Sequence, residues 1–493
     1  MGIVANQAIK NTFYTYIGFA IGALNTLFLF THILDKELYG VITYLLAASN
    51  LFWPVLSLGL QNTLIKFFKS YKTFKAQSAL FSWSLFIPII LSSICIITFK
   101  LCNDSLHKFF LGSNPIIYQY IYSIIVISIS VAYFELFFSW CKVHLKTTYG
   151  NLLKEVFNRL TISILLICYY FSYIDFDSLI YGIVCAYLVR TLLIILYAIS
   201  IKVPHFNFKS IDNLRQVFSY TLLILIAAFV SVYLIDMDKV MIERFLSVDN
   251  VAVYSICVFM ATVVEVPKRA LLQITNPLTA QFLNLNKLQS LKDLNQKSSI
   301  TGLIVSCLIA ILVFTNANSL FLLIPSSYDL LIEVVFLIIT VKLFDCSLGV
   351  SNAIIINSDS YKLILVIGVV ILVIAYYLNL FFIPQYGVVG AGLATFISYF
   401  IYNTVKLIFV WFKFKTQPYT LNTLKVMAIS LVFLILFYHL DFLKSYPIIA
   451  ISIKSLFTTI LYLFLIYKLS ISEEINKIID KFIRFQFLTE KNK

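Results

Sequence analysis

The chain is short of charge. Only 12% of its 493 residues are Asp, Glu, Lys or Arg, whereas 61% are apolar and the mean hydropathy is +0.93. Soluble domains carry about 25% charged residues and about 45–50% apolar ones. Because so little charge cannot cover a water-facing surface of this size, the composition excludes a soluble enzyme.

Cysteine, histidine and glycine are also scarce. The eight cysteines lie mostly inside apolar runs without a CxxC pair, and the five histidines are dispersed. This pattern predicts small buried thiols and neither disulfides nor a metal site. The sequence contains no phosphate loop and no nucleophile–base pair, so we expect no catalytic activity and no cofactor beyond a coupling ion. Fourteen glycines leave few places for a helix to bend.

Long apolar runs fill most of the chain. A bilayer crossing needs about 20 apolar residues, and roughly fourteen runs reach that length. The pattern predicts an all-α polytopic membrane protein. The predicted spans lie at about 11–33, 39–62, 78–99, 116–141, 150–172, 177–201, 214–237, 248–268, 298–317, 329–356, 362–383, 387–411, 422–440 and 446–468.

The net charge of +14 sits in connections between spans, which argues against nucleic acid as a partner. Alternate connections are rich in Lys and Arg, whereas the opposite ones hold few. The rich connections contain Lys66, Lys69, Lys72, Lys75, Lys142, Lys146, Lys154, Lys202, Lys209, Arg215, Lys268, Arg269, Lys287, Lys292, Lys297, Lys406, Lys413, Lys415 and Lys425. The positive-inside rule then places both termini in the cytoplasm of a multi-pass protein.

An internal repeat divides the chain. YGIVCAYL begins at Tyr181 and YGVVGAGL begins at Tyr386, and two other matches have a similar offset. We therefore expect two six-helix bundles, residues 1–210 and 211–415, related by a pseudo-two-fold axis along the membrane normal. Residues 416–493 would add two spans and an amphipathic helix on the cytoplasmic leaflet.

Three segments carry a family resemblance. FFIPQYGVVGAGLATFISYF (381–400), LIDMDKVMIERFLSVDNVAVYS (234–255) and the first span resemble the polysaccharide-export branch of the multidrug/oligosaccharidyl-lipid/polysaccharide exporter superfamily. The resemblance implies a MATE-like fold in a bacterial inner membrane. It also implies a flippase for polyprenyl-pyrophosphate-linked oligosaccharides such as O-antigen, capsule or exopolysaccharide units. Lipids and other polysaccharide-assembly proteins would be its partners.

Basic residues inside apolar spans are the candidate substrate ligands. An ionisable residue there costs about 2.5–3.5 kcal/mol on insertion scales and usually faces a cavity or a partner. Arg159, Arg190 and Lys342 qualify, and a guanidinium fork matches phosphate oxygens. The alternative for all three is a structural ion pair between helices. For Lys342 a second alternative is a self-neutralising pair with Asp345, which lies three residues later on the same helical face.

Acidic residues in or near spans are candidates for gating or for coupling to H⁺ or Na⁺. Glu135 and Glu333 would pair with the arginines or carry a proton, and the outer end of the seventh span is crowded with charge. The coupling or gating candidates are Glu135, Asp238, Arg244, Glu333 and Asp345.

Two other functions fit parts of the pattern. A cation-coupled multidrug exporter has the same plan, but for a cationic cargo we expect acidic residues to dominate the cavity. A membrane polysaccharide polymerase needs a sizeable extramembrane loop with chemistry, and the longest connection, about 269–297, has no cluster of acids or histidines. The flippase is the preferred hypothesis.

Overall fold

The computed structural model describes residues 3–68, 70–71, 73–101, 115–208, 214–358, 360–438 and 446–490. These residues form helices, connected by short turns, and include no strand. The expected all-α architecture is therefore confirmed. The chain divides into two compact units, Met1–Ile256 with Leu372–Ala391 (unit 1) and Cys257–Ile371 with Gly392–Lys493 (unit 2).

Unit 1 contains the first half of the chain. Its helices are α1 Ile3–Leu24, a π turn Asn25–Leu29, α2 Phe30–Ile33, α3 Lys36–Ser57, α4 Leu60–Phe67, α5 Phe74–Leu101, α6 Pro115–Gln119, α7 Ile121–Val143, α8 Thr148–Leu152, a second π turn Leu153–Phe157, α9 Asn158–Tyr170, α10 Phe176–Ile201, α11 Leu214–Phe245 and the start of α12 Asp249–Thr262. Its core is rich in aromatic rings, with Phe81, Phe134 and Trp140 fully or almost fully buried.

Unit 2 contains most of the second half. Its helices are the end of α12, a 3₁₀ turn Val263–Glu265, α13 Val266–Asn284, α14 Leu288–Thr315, α15 Ala317–Leu322, a 3₁₀ turn Ser326–Tyr328, α16 Ile332–Ser347, α17 Ser351–Asn357, α18 Tyr361–Phe414, α19 Leu421–Tyr438, α20 Pro447–Lys468 and α21 Glu473–Glu490. The middle of α18 belongs to unit 1.

Ten helices among the described residues are long and apolar enough to cross a membrane, and the bent pair α16–α17 makes an eleventh. Helix α18 has 54 residues, which at 1.5 Å each is about 80 Å, far more than one crossing of about 30 Å. A non-helical residue, Gly387, divides it. The segment from α8 to α9 and the helix α11 carry charges that dilute their apolar character. The helices are thus compatible with fourteen spans.

Helix α16 ends in a sharp break. Its axis turns by 60° into α17, and Gly349 at the break has φ +56°, a conformation that favours glycine. Asn295 of α14 accepts a hydrogen bond from the backbone N–H of Val350 (3.0 Å), and Ser299 donates to the carbonyl of Ser347 (2.5 Å). Tertiary hydrogen bonds therefore satisfy backbone groups that the break exposes.

The C-terminal amphipathic helix α21 packs against its own unit. Ile475 is buried in a cluster with Tyr462 and Ile466 of α20, and Ile479 contacts the same cluster. Tyr467 also donates a hydrogen bond to Asp480 (2.7 Å). Part of the apolar face that we expected on the lipid surface is therefore covered by protein. The predicted bundles, residues 1–210 and 211–415, were inferred from an internal duplication. The two compact units do not test that duplication, so the division into bundles stays a prediction.

Candidate functional site

Arg159 lies where α9 begins, against the first helix of the chain. Its Nη1 is 3.6 Å from Glu155 Oε2, and the two side chains are 35% and 23% exposed. Gly18 and Gly22 of α1 make room for it, since a Cβ at Gly22 would lie 3.4 Å from the Cδ and Nε atoms of Arg159. The small residues of the first span thus serve close packing around a charged side chain.

Glu135 of α7 pairs with a lysine and not with an arginine. Its Oε1 accepts a hydrogen bond from Lys154 Nζ at 2.6 Å, and Lys142 and Arg190 also interact with it electrostatically. The contact joins α7 to the second π turn, and the charges of Lys142 and Arg190 lie near the same carboxylate.

Arg190 is buried between aromatic rings. It is 6% exposed, and its guanidinium carbon lies 4.2 Å from the ring centroid of Phe134 and 4.8 Å from that of Tyr187. Its Nε and Nη2 have no hydrogen-bond partner among the described residues. A desolvated cation–π contact contributes about 2 kcal/mol, so this arginine has a packing role whatever its role in binding.

The acidic residues near the end of α11 are buried and not solvated. Asp236, Asp238 and Glu243 are 6%, 4% and 3% exposed. Asp238 accepts hydrogen bonds from Tyr254 (2.5 Å) and from Asn379 Nδ2 (2.8 Å). The Asp236 carboxylate has other partners and accepts hydrogen bonds from Asn50 (3.1 Å) and Lys239 (2.9 Å). Arg244, in contrast, is exposed and stands over the ring of Phe245.

Unit 2 contains a buried group of charges, here called the Asp345 cluster: Glu265, Lys268, Lys342, Asp345 and Lys406. Lys268 binds the Asp345 carboxylate and also donates to its backbone carbonyl (3.0 Å). Lys406 Nζ is 3.6 Å from the other carboxylate oxygen, and Lys342 Nζ is 3.0 Å from Glu265. Thus Lys342 pairs across helices with Glu265, although Asp345 is nearer in sequence.

Positive charge exceeds negative charge in this cluster. Three lysines face two carboxylates, and Arg269 adds a fourth cation 3.8 Å from Glu265. All three lysines are at most 9% exposed, and Lys342 and Lys406 lie over the rings of Tyr399 and Tyr402. An uncompensated buried cation is costly, which makes the cluster suited to receive an anion.

The remaining candidate, Glu333, stands apart from these groups. It is exposed in the first turn of α16 and lines an apolar groove with Phe314, Phe336 and Leu434. The structure therefore brings Lys342 and Asp345 into one cluster, Glu135 and Arg190 into another, and leaves Arg159, Asp238, Arg244 and Glu333 in separate surroundings.

Sequence reasoning missed several members of these groups. Lys406 was assigned to a connection, although it lies inside the apolar run NTVKLIFVWF, which was the available signal. Glu265 lies in the predicted span 248–268 and Lys268 was assigned to a connection, but both are held inside the protein by Lys342 and Asp345. Asn379 and Tyr254 carry no charge, so no sequence signal marked them as partners of Asp238.

The geometry defines a multi-pass helical membrane protein with basic side chains buried inside its spans. The model of the polysaccharide biosynthesis protein family matches residues 8–268, slightly more than half of the chain. The chain therefore belongs to that family, which confirms the resemblance seen in the sequence.

Solved structures show the same fold. The lipid II flippase MurJ in an inward closed conformation is 13% identical with a TM-score of 0.74, and the match covers 93% of this chain and 99% of that one. A MOP superfamily transporter from Pyrococcus furiosus is 12% identical with a TM-score of 0.57, covering 85% and 98%. An outward-facing MATE family multidrug resistance transporter is 12% identical with a TM-score of 0.57, covering 84% and 96%. At such identities the likeness concerns the fold alone. No curated protein matches the chain significantly.

Proposed function

We propose that the protein is a flippase that moves polyprenyl-pyrophosphate-linked oligosaccharides, such as O-antigen, capsule or exopolysaccharide units, from the inner to the outer leaflet of a bacterial inner membrane. The observation that carries this proposal is the excess of buried lysine over carboxylate in the Asp345 cluster. Family membership and the fold shared with a lipid II flippase support it. Both termini would lie in the cytoplasm.

The chemistry of the substrate explains the sign of the buried charge. A diphosphate keeps negative charge throughout transport, and leaving it unpaired in hydrocarbon is prohibitively costly. Each unit offers one basic residue that would donate charge-assisted hydrogen bonds to phosphate oxygens, the partly exposed Arg159 in unit 1 and Lys342 in unit 2. Arg190 would attract the diphosphate by its positive charge without binding it directly, because Phe134 and Tyr187 enclose its guanidinium. The same cations would repel a cationic drug.

Movement requires a driving force, which we assign to an ion gradient. Asp238, held by Tyr254 and Asn379, is a buried carboxylate among polar partners and a candidate site for H⁺ or Na⁺. Glu135 and Asp345 would couple ion binding to substrate movement through the lysines that they already bind. Glu333 and Arg244 would act as gating residues at the exposed ends of their helices. Alternating access is the expected cycle.

Depletion of the protein followed by leaflet-resolved quantification of lipid-linked glycans tests the function. Intact repeat units should accumulate on the cytoplasmic leaflet. Complementation with Arg159→Ala or Lys342→Ala should restore little transport, whereas Lys297→Ala, which changes an exposed lysine, should restore it fully. Accumulation of single units on the outer leaflet would point to a polymerase, and an unchanged pool would favour the multidrug exporter.

A further inference from the structure

The first span is fastened to the fifth along one line of polar and small residues. At one end Gln7 donates to the carbonyl of Leu145 (2.7 Å) and accepts from the hydroxyl of Thr147 (2.9 Å). Asn11 donates to the same hydroxyl (3.0 Å), and Asn151 donates to the carbonyl of Asn11 (3.0 Å). These contacts fix the relative register of α1 and α8.

Further along, the two helices approach until side chains no longer fit between them. A Cβ at Gly18 would collide with the carbonyl oxygen of Glu155 and would come within 2.9 Å of Arg159 Nη1. Only glycine permits this distance, so the line of contact between α1 and the second π turn depends on Gly18. The stem of Arg159 then runs past Gly22.

The backbone of Arg159 is held firmly. Asn25, 4% exposed in the first π turn, donates its amide to the carbonyl of Arg159 (2.8 Å). Ser163 donates to the same carbonyl (2.9 Å) and to Asn25 Oδ1 (2.6 Å). A π turn in each of two facing helices is rare, and such turns occur frequently at functional sites.

With Glu155 the Arg159 guanidinium makes only a long ion pair. Its 3.6 Å distance to Glu155 exceeds the about 2.7–2.9 Å of a charge-assisted hydrogen bond, whereas the neighbouring Lys154–Glu135 pair is at 2.6 Å. Partly exposed pairs of this kind contribute only about 0.2–1 kcal/mol. A diphosphate, with more charge and more acceptor oxygens than one carboxylate, would therefore replace Glu155 readily.

We propose that Glu155 is an internal counter-anion of Arg159 that the diphosphate of the substrate displaces. Meanwhile the contacts with the first span, including that of Asn25, keep the arginine backbone in place. This inference rests on the proposed function and concerns the regulation of its Arg159 site. Glu155 neutralises the arginine when no substrate is bound and competes for it afterwards, which weakens binding and favours release. Glu155 is thus a positioning residue that acts through Arg159.

Binding of inorganic diphosphate to the purified full-length protein tests the competition directly. Glu155→Gln removes the competing charge and should lower the Kd about two- to fivefold, the equivalent of one weak ion pair. Glu155→Asp keeps the charge and should bind like the original protein. Glu474→Gln is the matched control, because Glu474 faces Lys297 in an exposed pair far along the sequence, and it should change nothing.

A double variant shows whether Glu155 acts through the arginine. In an Arg159→Ala background, Glu155→Gln should no longer tighten binding, since the cation for which it competes is gone. Equal or weaker diphosphate binding by Glu155→Gln, or tightening that persists without Arg159, would overturn the proposal. Glu155→Ser provides a second neutral variant if the glutamine variant does not fold.

Transport kinetics separate this inference from the proposed function. In proteoliposomes containing a polyprenyl-diphosphate oligosaccharide, Glu155→Gln should lower the KM while Glu155→Asp leaves it unchanged. A protein that binds diphosphate as expected but moves no lipid-linked glycan would refute the flippase and leave the counter-anion intact. A protein that flips the glycan with the same KM in both variants would refute the counter-anion alone.

Discussion

Removing the carboxylate charge of Asp345 should strongly destabilise the protein. Asparagine at this position preserves the shape and an oxygen acceptor for Lys268, so the change in Asp345→Asn is mainly electrostatic. Three lysines, each at most 9% exposed, and Arg269 would then face Glu265 as the one remaining carboxylate of the Asp345 cluster. Breaking a buried pair by removing one partner costs about 3–5 kcal/mol.

That cost converts into a measurable melting shift. In a domain of about 200 residues each kcal/mol lowers the Tm by roughly 2–4 °C, so Asp345→Asn should lower it by about 6–20 °C. Thermal unfolding of the detergent-solubilised protein measures the shift. Glu474→Gln, in an exposed pair with Lys297, is the control and should cost at most about 1 kcal/mol.

A second substitution tests the electrostatic reasoning itself. Lys406 Nζ lies 3.6 Å from Asp345, and Lys406 is the least exposed of the three lysines, at 4%. Asp345→Asn with Lys406→Met restores the original net charge of the cluster, so it should recover about 1–3 kcal/mol of the loss. A shift no larger than that of the control, or a double variant less stable than the single one, would refute the reasoning.

Three further destabilising substitutions, two of them paired with a control substitution, have expected outcomes, each measured as a change in unfolding free energy or Tm. Gly387→Ala forces a side chain into φ +60°, ψ −137° and should cost about 1–3 kcal/mol, while Gly392→Ala, whose Cβ would meet only ordinary contacts from 3.4 Å, should cost nothing; equal effects would contradict a backbone cause. Tyr254→Phe removes a hydroxyl that donates to Asp238 and should cost about 1.5–3 kcal/mol, and an unchanged Tm would mean that the bond adds nothing. Gly40→Ala places a Cβ against the carbonyl of Val248 and should cost about 1–3 kcal/mol, whereas Gly302→Ala, with contacts at 3.5 Å or more, should be tolerated.

Composition and the length of the apolar runs were enough to predict the fold class. With 61% apolar residues and 12% charged ones, only a membrane can solvate the surface of this chain. The spans could be placed because each backbone hydrogen bond in a bilayer must be satisfied within a helix. Two features escaped that reasoning, the break of 60° after Ser347 and the extreme length of α18, since both depend on where neighbouring helices support the backbone.

The candidate site was predicted less completely. Charges inside apolar runs identified Arg159, Arg190, Lys342 and Asp345 as costly and therefore informative. Their partners could not be read from spacing, because Lys342 binds Glu265, 77 residues earlier, instead of Asp345 on its own helix. The contacts of Arg190 with the rings of Phe134 and Tyr187 could not be predicted from the sequence either.

The sequence by itself determined that this chain crosses a membrane many times, which family it resembles and which spans carry a charge. These properties can be read from local sequence, because each span must by itself be apolar enough to lie in the bilayer. Only the tertiary structure decided which charges neutralise each other, which are buried among rings and which remain partly exposed, as Arg159 does. The physical reason is that the energy of a buried charge depends on atoms within a few ångströms, and packing brings those atoms from distant parts of the chain.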